Sequence, residues 1–402
     1  MLVQQQETVA SIIKEALATL DVTDINIILD RPKSAEHGDI ACNIAMQLAR
    51  VLKQKPRDIA DKLVGLIKAN PKSQTLFKNI EIAGPGFINF FLADDARFET
   101  IRKILTDKEA YGFNHDHDGE SVLLEFVSAN PTGPLHLGHA RQGALGDTLA
   151  NLLQTQGWKV TREFYYNDAG VQINNLAESI RLRALELLGE NITLPESAYH
   201  GEYIVSIAKE YLAKKPVHTH NGDVIASEGD LNDINSIRRY GVAYLRNEQD
   251  DDLNALGVHF DNFYLESSLY SSGRVQAAVE NMIKSGYTYE QDGALWLRTT
   301  ACEKLGIHDD KDRVMKKADG TYTYFVPDVA YHLAKFERGF TKAVNIQGSD
   351  HHGTIARVRC GLQCVSKVLD WNIPKAFPDY ILHKMLSVVK DGEPVKMSKR
   401  SG

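Results

Sequence analysis

A chain of 402 residues is too long for one ordinary hydrophobic core, so two or three domains are expected. Its formal net charge of -7 argues against a protein that coats nucleic acid by bulk electrostatics, while leaving room for a local basic face. No apolar run approaches membrane-spanning length, and the first twenty residues carry an acidic residue within their apolar stretch and no cleavage-like site, so a soluble cytoplasmic protein is expected. The four cysteines, Cys42, Cys302, Cys360 and Cys364, form no Cys-x-x-Cys pair. Only Cys360 and Cys364 stand close, at a spacing that suggests one helix face, and buried free thiols are expected.

Val9, Ile12, Ile13, Ala16, Leu17 and Leu20 recur at helical spacing and predict an opening amphipathic helix. The alternation Ile25, Ile27, Leu29 predicts a strand. A helix is expected over residues 44–52, and another opens at Pro56 and runs through Ile59, Leu63 and Ile67 until Asn70-Pro71 stops it. Residues 79–83 and 87–92 read as strands flanking Gly84-Pro85-Gly86, a hairpin signal, and a helix follows from Asp95 to about Lys108. Together these predict a small α+β domain over residues 1–110, with the polar run 111–120 as a linker. His115 and His117 in that run are read as solvated, because no further metal ligand stands at a diagnostic spacing.

Residues 121–127, SVLLEFV, read as a buried strand. A Pro/Gly-rich turn, a helix to about Gln156 and a second strand, KVTREFYY, complete a strand–helix–strand unit. The fold class expected is therefore α/β, a doubly wound, Rossmann-like parallel sheet. Residues 171–212 and 234–256 are patterned as helices around a surface insertion at 217–232, and another helix covers 273–285. A strand-like GALWLRT and a charged loop at 308–320 lead to TYTYFVPDVAYHLAKF, where a strand passes into a helix at Asp328. The strand AVNIQG then ends at Ser349-Asp350-His351-His352-Gly353, before a helix from about Thr354. The sheet is thus expected to be split: a first half over 121–180, a mainly helical insertion over 181–320, and a second half over 321–402.

Two constellations carry chemistry. His136 and His139 stand three apart at the start of a helix, where ring nitrogens and the positive helix end both favour an anion, and Gly138 between them leaves room for a nucleoside. Taken alone, this motif fits equally a core histidine pair or half of a metal site. Its place after strand, proline and glycine favours a nucleotide. At the other end of the chain, KMSKRSG sets Lys396, Lys399 and Arg400 among small residues, suited to neutralising a polyphosphate during transfer or, standing alone, to a solvated loop.

HLGH and KMSKR together are similar to the two signatures of class I aminoacyl-tRNA synthetases. SANPTGPLHLGHAR, YYNDAG, TYFVPDVAYH and GSDHHG resemble the arginyl-tRNA synthetase family in particular, and HGDIACNIA and GPGFINFFL resemble that family's additional N-terminal domain, which contacts the D-loop side of tRNA. The resemblance implies an arginine–tRNA ligase: ATP-dependent activation of L-arginine to arginyl-adenylate with release of pyrophosphate, then transfer to the 3′ end of tRNA(Arg). It implies ATP and Mg²⁺, no resident metal site, and a monomer.

By the same resemblance His136, His139, Lys396 and Lys399 are catalytic, holding the ATP phosphates and the pyrophosphate side. Gly138, Gly348, Asp350, His351, His352, Met397 and Ser398 bind ATP. Glu125, Ser128, Asn130, Glu266, Tyr324 and Asp328 bind arginine, Glu125 and Asn130 at its α-amino group and Asp328 and Glu266 at its guanidinium, whose planar fork pairs bidentately with carboxylates. The family continues after KMSKR into a helical anticodon-reading domain. This sequence stops at Gly402, so that domain is expected to be absent and tRNA charging impaired. The alternatives are an HxGH nucleotidyltransferase and a non-catalytic tRNA-binding fragment.

Overall fold

The computed structural model describes residues 3–23, 25–168, 170–384, 386, 388–390 and 392–395. The chain divides into two compact units, Met1–Phe113 and Asn114–Gly402. In the first, the elements run α1 (Val3–Ala18), β1 (Leu29–Asp30), β2 (Ile40–Cys42), α2 (Ile44–Leu52), α3 (Pro56–Ala69), α4 (Pro71–Leu76), β3 (Phe77–Ala83), β4 (Phe87–Leu92) and α5 (Asp94–Asp107). The strands form an antiparallel sheet in the order β1-β2-β4-β3, and the apolar stripes of α1 and α3 close its core. The strand expected from Ile25 shrinks to two residues. Ile25 and Ile27 pack against the core, but β2 offers partners only to Leu29 and Asp30. Asn70-Pro71 ends α3 and also starts α4, because the Asn70 side chain caps the Lys72 amide at 3.0 Å.

The second unit contains β5 (Ser121–Glu125), α6 (Leu137–Thr155), β6 (Lys159–Tyr166), α7 (Val171–Leu187), α8 (Glu202–Leu212), β7 (Val217–His218), β8 (Val224–Ile225), α9 (Ile234–Ala255), β9 (Asn262–Leu265), α10 (Glu266–Ser271), α11 (Arg274–Lys284), β10 (Thr288–Gln291), β11 (Ala294–Leu297), β12 (Arg313–Lys316), α12 (Phe325–Glu337), β13 (Ala343–Gly348), α13 (His352–Leu369) and β14 (Asp379–His383). Five parallel strands make the doubly wound sheet, ordered β14-β13-β5-β6-β9. From β5 the chain winds outward through β6 to β9, then returns to place β13 and β14 on the other side. The order therefore reverses between β5 and β13, and a crevice opens at their carboxyl ends.

Three expectations need correction. The first half of the sheet does not end near residue 180: β9, from within the stretch read as insertion, is its edge strand, so only α7–α9 and the β7–β8 hairpin lie between consecutive strands of that half. These helices have a core of their own around Leu176, Ile180, Ile207, Tyr211 and Tyr240. The charged loop at 308–320 contains β12, held by its pairing with β11 and by the buried Met315. No strand precedes Asp328: residues 321–324 make one isolated bridge, and α12 starts at Phe325, with Pro327 in the first turn, where a missing amide costs nothing.

A fourth correction concerns the cysteines. Cys302 and Cys360 are joined by a disulfide, with Cα atoms 5.9 Å apart, while Cys42 and Cys364 are buried free thiols. The two partners are 58 residues apart in sequence, which hides their proximity. His115 and His117 each hydrogen-bond a carboxylate three residues on, Asp118 at 3.1 Å and Glu120 at 2.9 Å. No helix among the described residues is long and apolar enough to cross a membrane.

Candidate active site

The crevice is built by the residues that follow β5 and β13. Past Glu125 the backbone kinks: Val127 and Ser128 have φ of 66° and 42°, in the left-handed region that costs a side-chain-bearing residue about 1–3 kcal/mol. Packing and hydrogen bonds hold the kink. Val127 is 5% exposed in the core, and the Ser128 hydroxyl donates to Glu125 Oε1 at 3.1 Å and accepts from the Tyr165 amide at 3.2 Å.

The chain then reaches α6. His136 is its N-cap: His136 Nδ1 accepts from the Gly138 amide at 3.1 Å, and the His136 amide donates to His139 Nδ1 at 3.2 Å. The two rings stack with centroids 3.7 Å apart. Because both Nδ1 atoms accept, the ring protons sit on Nε2. A Cβ at Gly138 would lie 2.9 Å from the His136 ring, so any larger residue there must push that ring aside. A Cβ at Gly146 would meet the Phe126 ring at 2.2 Å, which is why α6 can lie so close over the end of β5.

The turn between β5 and α6 is fastened by the helical insertion. Asn130 Nδ2 donates to Gln172 at 2.7 Å, the Tyr203 hydroxyl donates to the Thr132 carbonyl at 2.9 Å, and the fully buried Gln249 donates to the carbonyls of Asn130 and Gly133 at 3.1 and 2.8 Å.

Behind this turn lies a cleft of about 170 Å³ whose walls include Glu125, Ser128, Tyr165, Asp328, Tyr331, His332, Asn345, Gln347, His351 and Tyr380. Glu125 is 4% exposed and paired with the wholly buried Lys335 at 2.6 Å. Burial pushes the Asp328 carboxyl up to about 7, with the charges of Glu125 and Glu266 adding to the effect and Lys335 and Arg357 opposing it. Burial likewise pushes Glu266 up to about 7, against the Tyr165 hydroxyl, which donates to it at 3.1 Å, and with Asp168 adding. Gln347 Oε1 and His332 Nδ1, both buried, have no hydrogen-bond partner among the described residues. Two carboxyls reluctant to ionise beside unsatisfied polar atoms make a cleft that a compact cation would complete.

The floor is pinned by Glu163, wholly buried on β6. It accepts from Arg338 at 2.6 and 2.9 Å and from the Tyr331 hydroxyl at 2.7 Å. Burial alone would raise its carboxyl, but Arg338, Lys335 and Tyr331 together hold it below the usual range.

Set beside known proteins, residues 100–402 match the catalytic domain of the class I (R) tRNA synthetases, and residues 7–92 match the arginyl tRNA synthetase N-terminal domain. The chain belongs to the arginyl class I tRNA synthetases. It is 56% identical over 405 residues to an arginine–tRNA ligase of Cupriavidus metallidurans, an alignment that covers all of this chain and 66% of that protein. It is 57% identical over 387 residues to one of Cupriavidus necator, covering 96% and 64%. The chain thus spans about two thirds of the length of the curated relatives it matches. The arginyl-tRNA synthetase structure of Thermus thermophilus shares the fold, with a TM-score of 0.62 at 19% identity, covering 94% of this chain and 65% of that one.

In this chain, Glu125, Ser128, Asp328 and His351 share the cleft wall, and Glu266 joins them through Tyr165. His136, Gly138 and His139 form the N-terminus of α6, and Asn130 lies in the turn before it. Gly348 ends β13, Asp350 and His351 form a 3-10 turn, and His352 starts α13, the last three exposed. Tyr324, at the N-cap of α12, is 75% exposed and is not part of the cleft wall. Lys396, Met397, Ser398 and Lys399 lie outside the described residues. Sequence reasoning missed Tyr165, Tyr331, Lys335, Asn345 and Gln347. Lys335 carried a usable signal: it is a cation one turn past Tyr331 and two past Asp328, inside an otherwise apolar helical run.

Proposed function

We propose that this chain activates L-arginine with ATP to arginyl-adenylate, releasing pyrophosphate, and passes the arginyl group to the 3′ end of tRNA(Arg). The observation that carries this reading is the juxtaposition, at the switch point of one sheet, of a phosphate-favouring helix N-terminus and a carboxylate-walled cleft. Asp328 and Glu266 take the guanidinium, and Glu125 with Asn130 the α-amino group. The α-carboxylate oxygen attacks the α-phosphorus as the bond to pyrophosphate breaks. His136 and His139, through their Nε2–H groups, and the positive end of α6 stabilise the charge on the phosphoryl oxygens. Gly138, Gly348, Asp350, His351 and His352 frame the nucleoside, Lys396, Lys399, Met397 and Ser398 act on the pyrophosphate side, and Tyr324 covers the bound arginine.

Mg²⁺ prefers oxygen ligands, and the one three-residue ligand cluster among the described residues is Cys302, Cys360 and Cys364, the wrong donors. In this reading Mg²⁺ arrives on the ATP phosphates and supplies charge neutralisation there. The N-terminal unit contacts tRNA, an assignment supported by Arg31 and Lys33 on the wall of a groove of about 590 Å³, where Arg97 is paired with Asp39 at 2.9 Å. The chain works as a monomer in the cytoplasm.

Arginine-dependent exchange of pyrophosphate into ATP, measured with tRNA(Arg) present, tests the proposal. Exchange that ignores arginine would point to a nucleotidyltransferase. Binding of tRNA with no response to ATP and arginine would leave a tRNA-binding module.

A further inference from the structure

Lys335 is a fully buried ammonium beneath the cleft. Its Nζ lies 2.6 Å from Glu125 Oε2 and 3.0 Å from Asn345 Oδ1, and 4.3 Å from the centre of the Tyr331 ring. Fold stability is a poor reason for such a pair, because two buried charges are often replaced by apolar side chains of similar volume with no loss. The surroundings suggest another reason. The groups facing Lys335 are Glu125 on β5, Glu163 on β6, Asn345 on β13, and Asp328, Tyr331 and His332 on α12, while Arg357 on α13 acts on Asp328. Burial, with Lys335 adding, holds His332 well below its ordinary value, so it contributes no charge. Glu163 is already claimed by Arg338. Among the described residues, Lys335 is the only cation within hydrogen-bonding distance of Glu125.

A bound arginine presents two cations, and the cleft must receive them at different ends. Asp328 and Glu266 carry no counter-ion at hydrogen-bonding distance among the described residues, as suits a guanidinium that supplies its own charge. Glu125 differs: Lys335 takes Oε2 and Ser128 takes Oε1, which fixes the carboxylate plane. We propose that Lys335 is the positioning residue that holds the Glu125 carboxylate in place and supplies its counter-charge, so that the cleft selects a guanidinium carrying an α-amino group over a guanidinium alone.

This assignment rests on the arginine-activating reading. Without Lys335, the Glu125 carboxylate loses the ammonium that holds Oε2 and keeps only the Ser128 hydroxyl on Oε1. The α-ammonium then loses a positioned acceptor, while the guanidinium end keeps its partners.

The test compares binding of arginine and of desaminoarginine, the analogue lacking only the α-amino group, in wild type, Lys335→Met, Glu125→Gln and the double variant. Calorimetry on the full chain gives the affinities, and melting curves check the fold. Wild type should prefer arginine, and Lys335→Met should lose that preference by on the order of 10- to 100-fold with desaminoarginine little changed. The double variant, a neutral pair that leaves no buried charge unpaired, should fold and show no further loss. A purely structural role weakens both ligands alike and leaves their ratio at the wild-type value, which would overturn the assignment. Wild type that binds neither ligand sinks the arginine reading itself, and this assignment with it.

Discussion

Binding of arginine should release protons near neutrality. In the free protein Asp328 and Glu266 each titrate at about 7. A guanidinium binds their ionised forms, so the affinity falls as the pH drops below that value and levels off above it. For one such group the fraction blocked by a proton changes the apparent constant about tenfold between pH 8 and pH 6, and two independent groups would give about hundredfold. The charge of Glu266 itself helps raise Asp328, so the pair is coupled and hundredfold is the upper end. Calorimetry in two buffers of different ionisation enthalpy, near pH 7, should show a heat difference equivalent to about one proton released. Asp328→Asn should weaken binding severely and reduce the pH dependence to the roughly tenfold change that Glu266 alone gives.

The same carboxyl has a stability signature of opposite sign. A folded-state value above the ordinary 3.8 means the native state holds a proton that the unfolded chain has lost, so stability falls as the pH rises from about 4 to about 7. Raising the carboxyl that far costs at most on the order of 4 kcal/mol above neutrality, and Asp328→Asn should therefore melt several degrees higher than wild type at about pH 8. An affinity flat from about pH 6 to pH 8, or heats that ignore the buffer, would refute the reasoning.

Gly138→Ala should slow arginine-dependent pyrophosphate exchange by at least about tenfold with a small change in melting temperature, because the new methyl displaces the His136 ring at an exposed helix end. Gln249→Ala removes two buried hydrogen bonds to the turn before α6 and should cost roughly 2–3 kcal/mol in denaturant titration while also slowing exchange. An unchanged exchange rate would show that the insertion does not set the geometry of that turn. Alkylation of the unfolded, unreduced chain should label Cys42 and Cys364 only, with Cys302 and Cys360 joining them after reduction. Reduction should lower stability by about 2–4 kcal/mol, and four labels without reductant would contradict the pairing.

Local signals carried far in this chain. The periodic stripes of α1 and α3, the Gly-Pro-Gly hairpin between β3 and β4, and the strand–turn–helix around HLGH are written in consecutive residues, and the structure follows them. Long-range pairings were not legible. β9 is four residues, too short for alternation to declare itself, and its register beside β6 joins Asn262 to Glu163 across 99 positions. Cys302 and Cys360 were hidden by the same kind of separation. Within the cleft, Asp328 and Glu266 were reached only through the family resemblance. Tyr331 and Asn345 look like ordinary helix and strand residues until burial shows that their polar ends converge with that of Lys335.

The kink at Val127 and Ser128 ties the aim of the cleft to the oil beneath it. A glycine at 127 would relieve the backbone but forfeit a buried valine side chain, roughly 1.5–3 kcal/mol, so packing with Phe126, Phe260 and Phe164 is what keeps the strained path in place. Volume changes in that aromatic layer would tilt Ser128 and Glu125 without touching any ligand. Laboratory evolution toward a different amino acid should therefore accumulate substitutions under β5 as well as in the cleft wall.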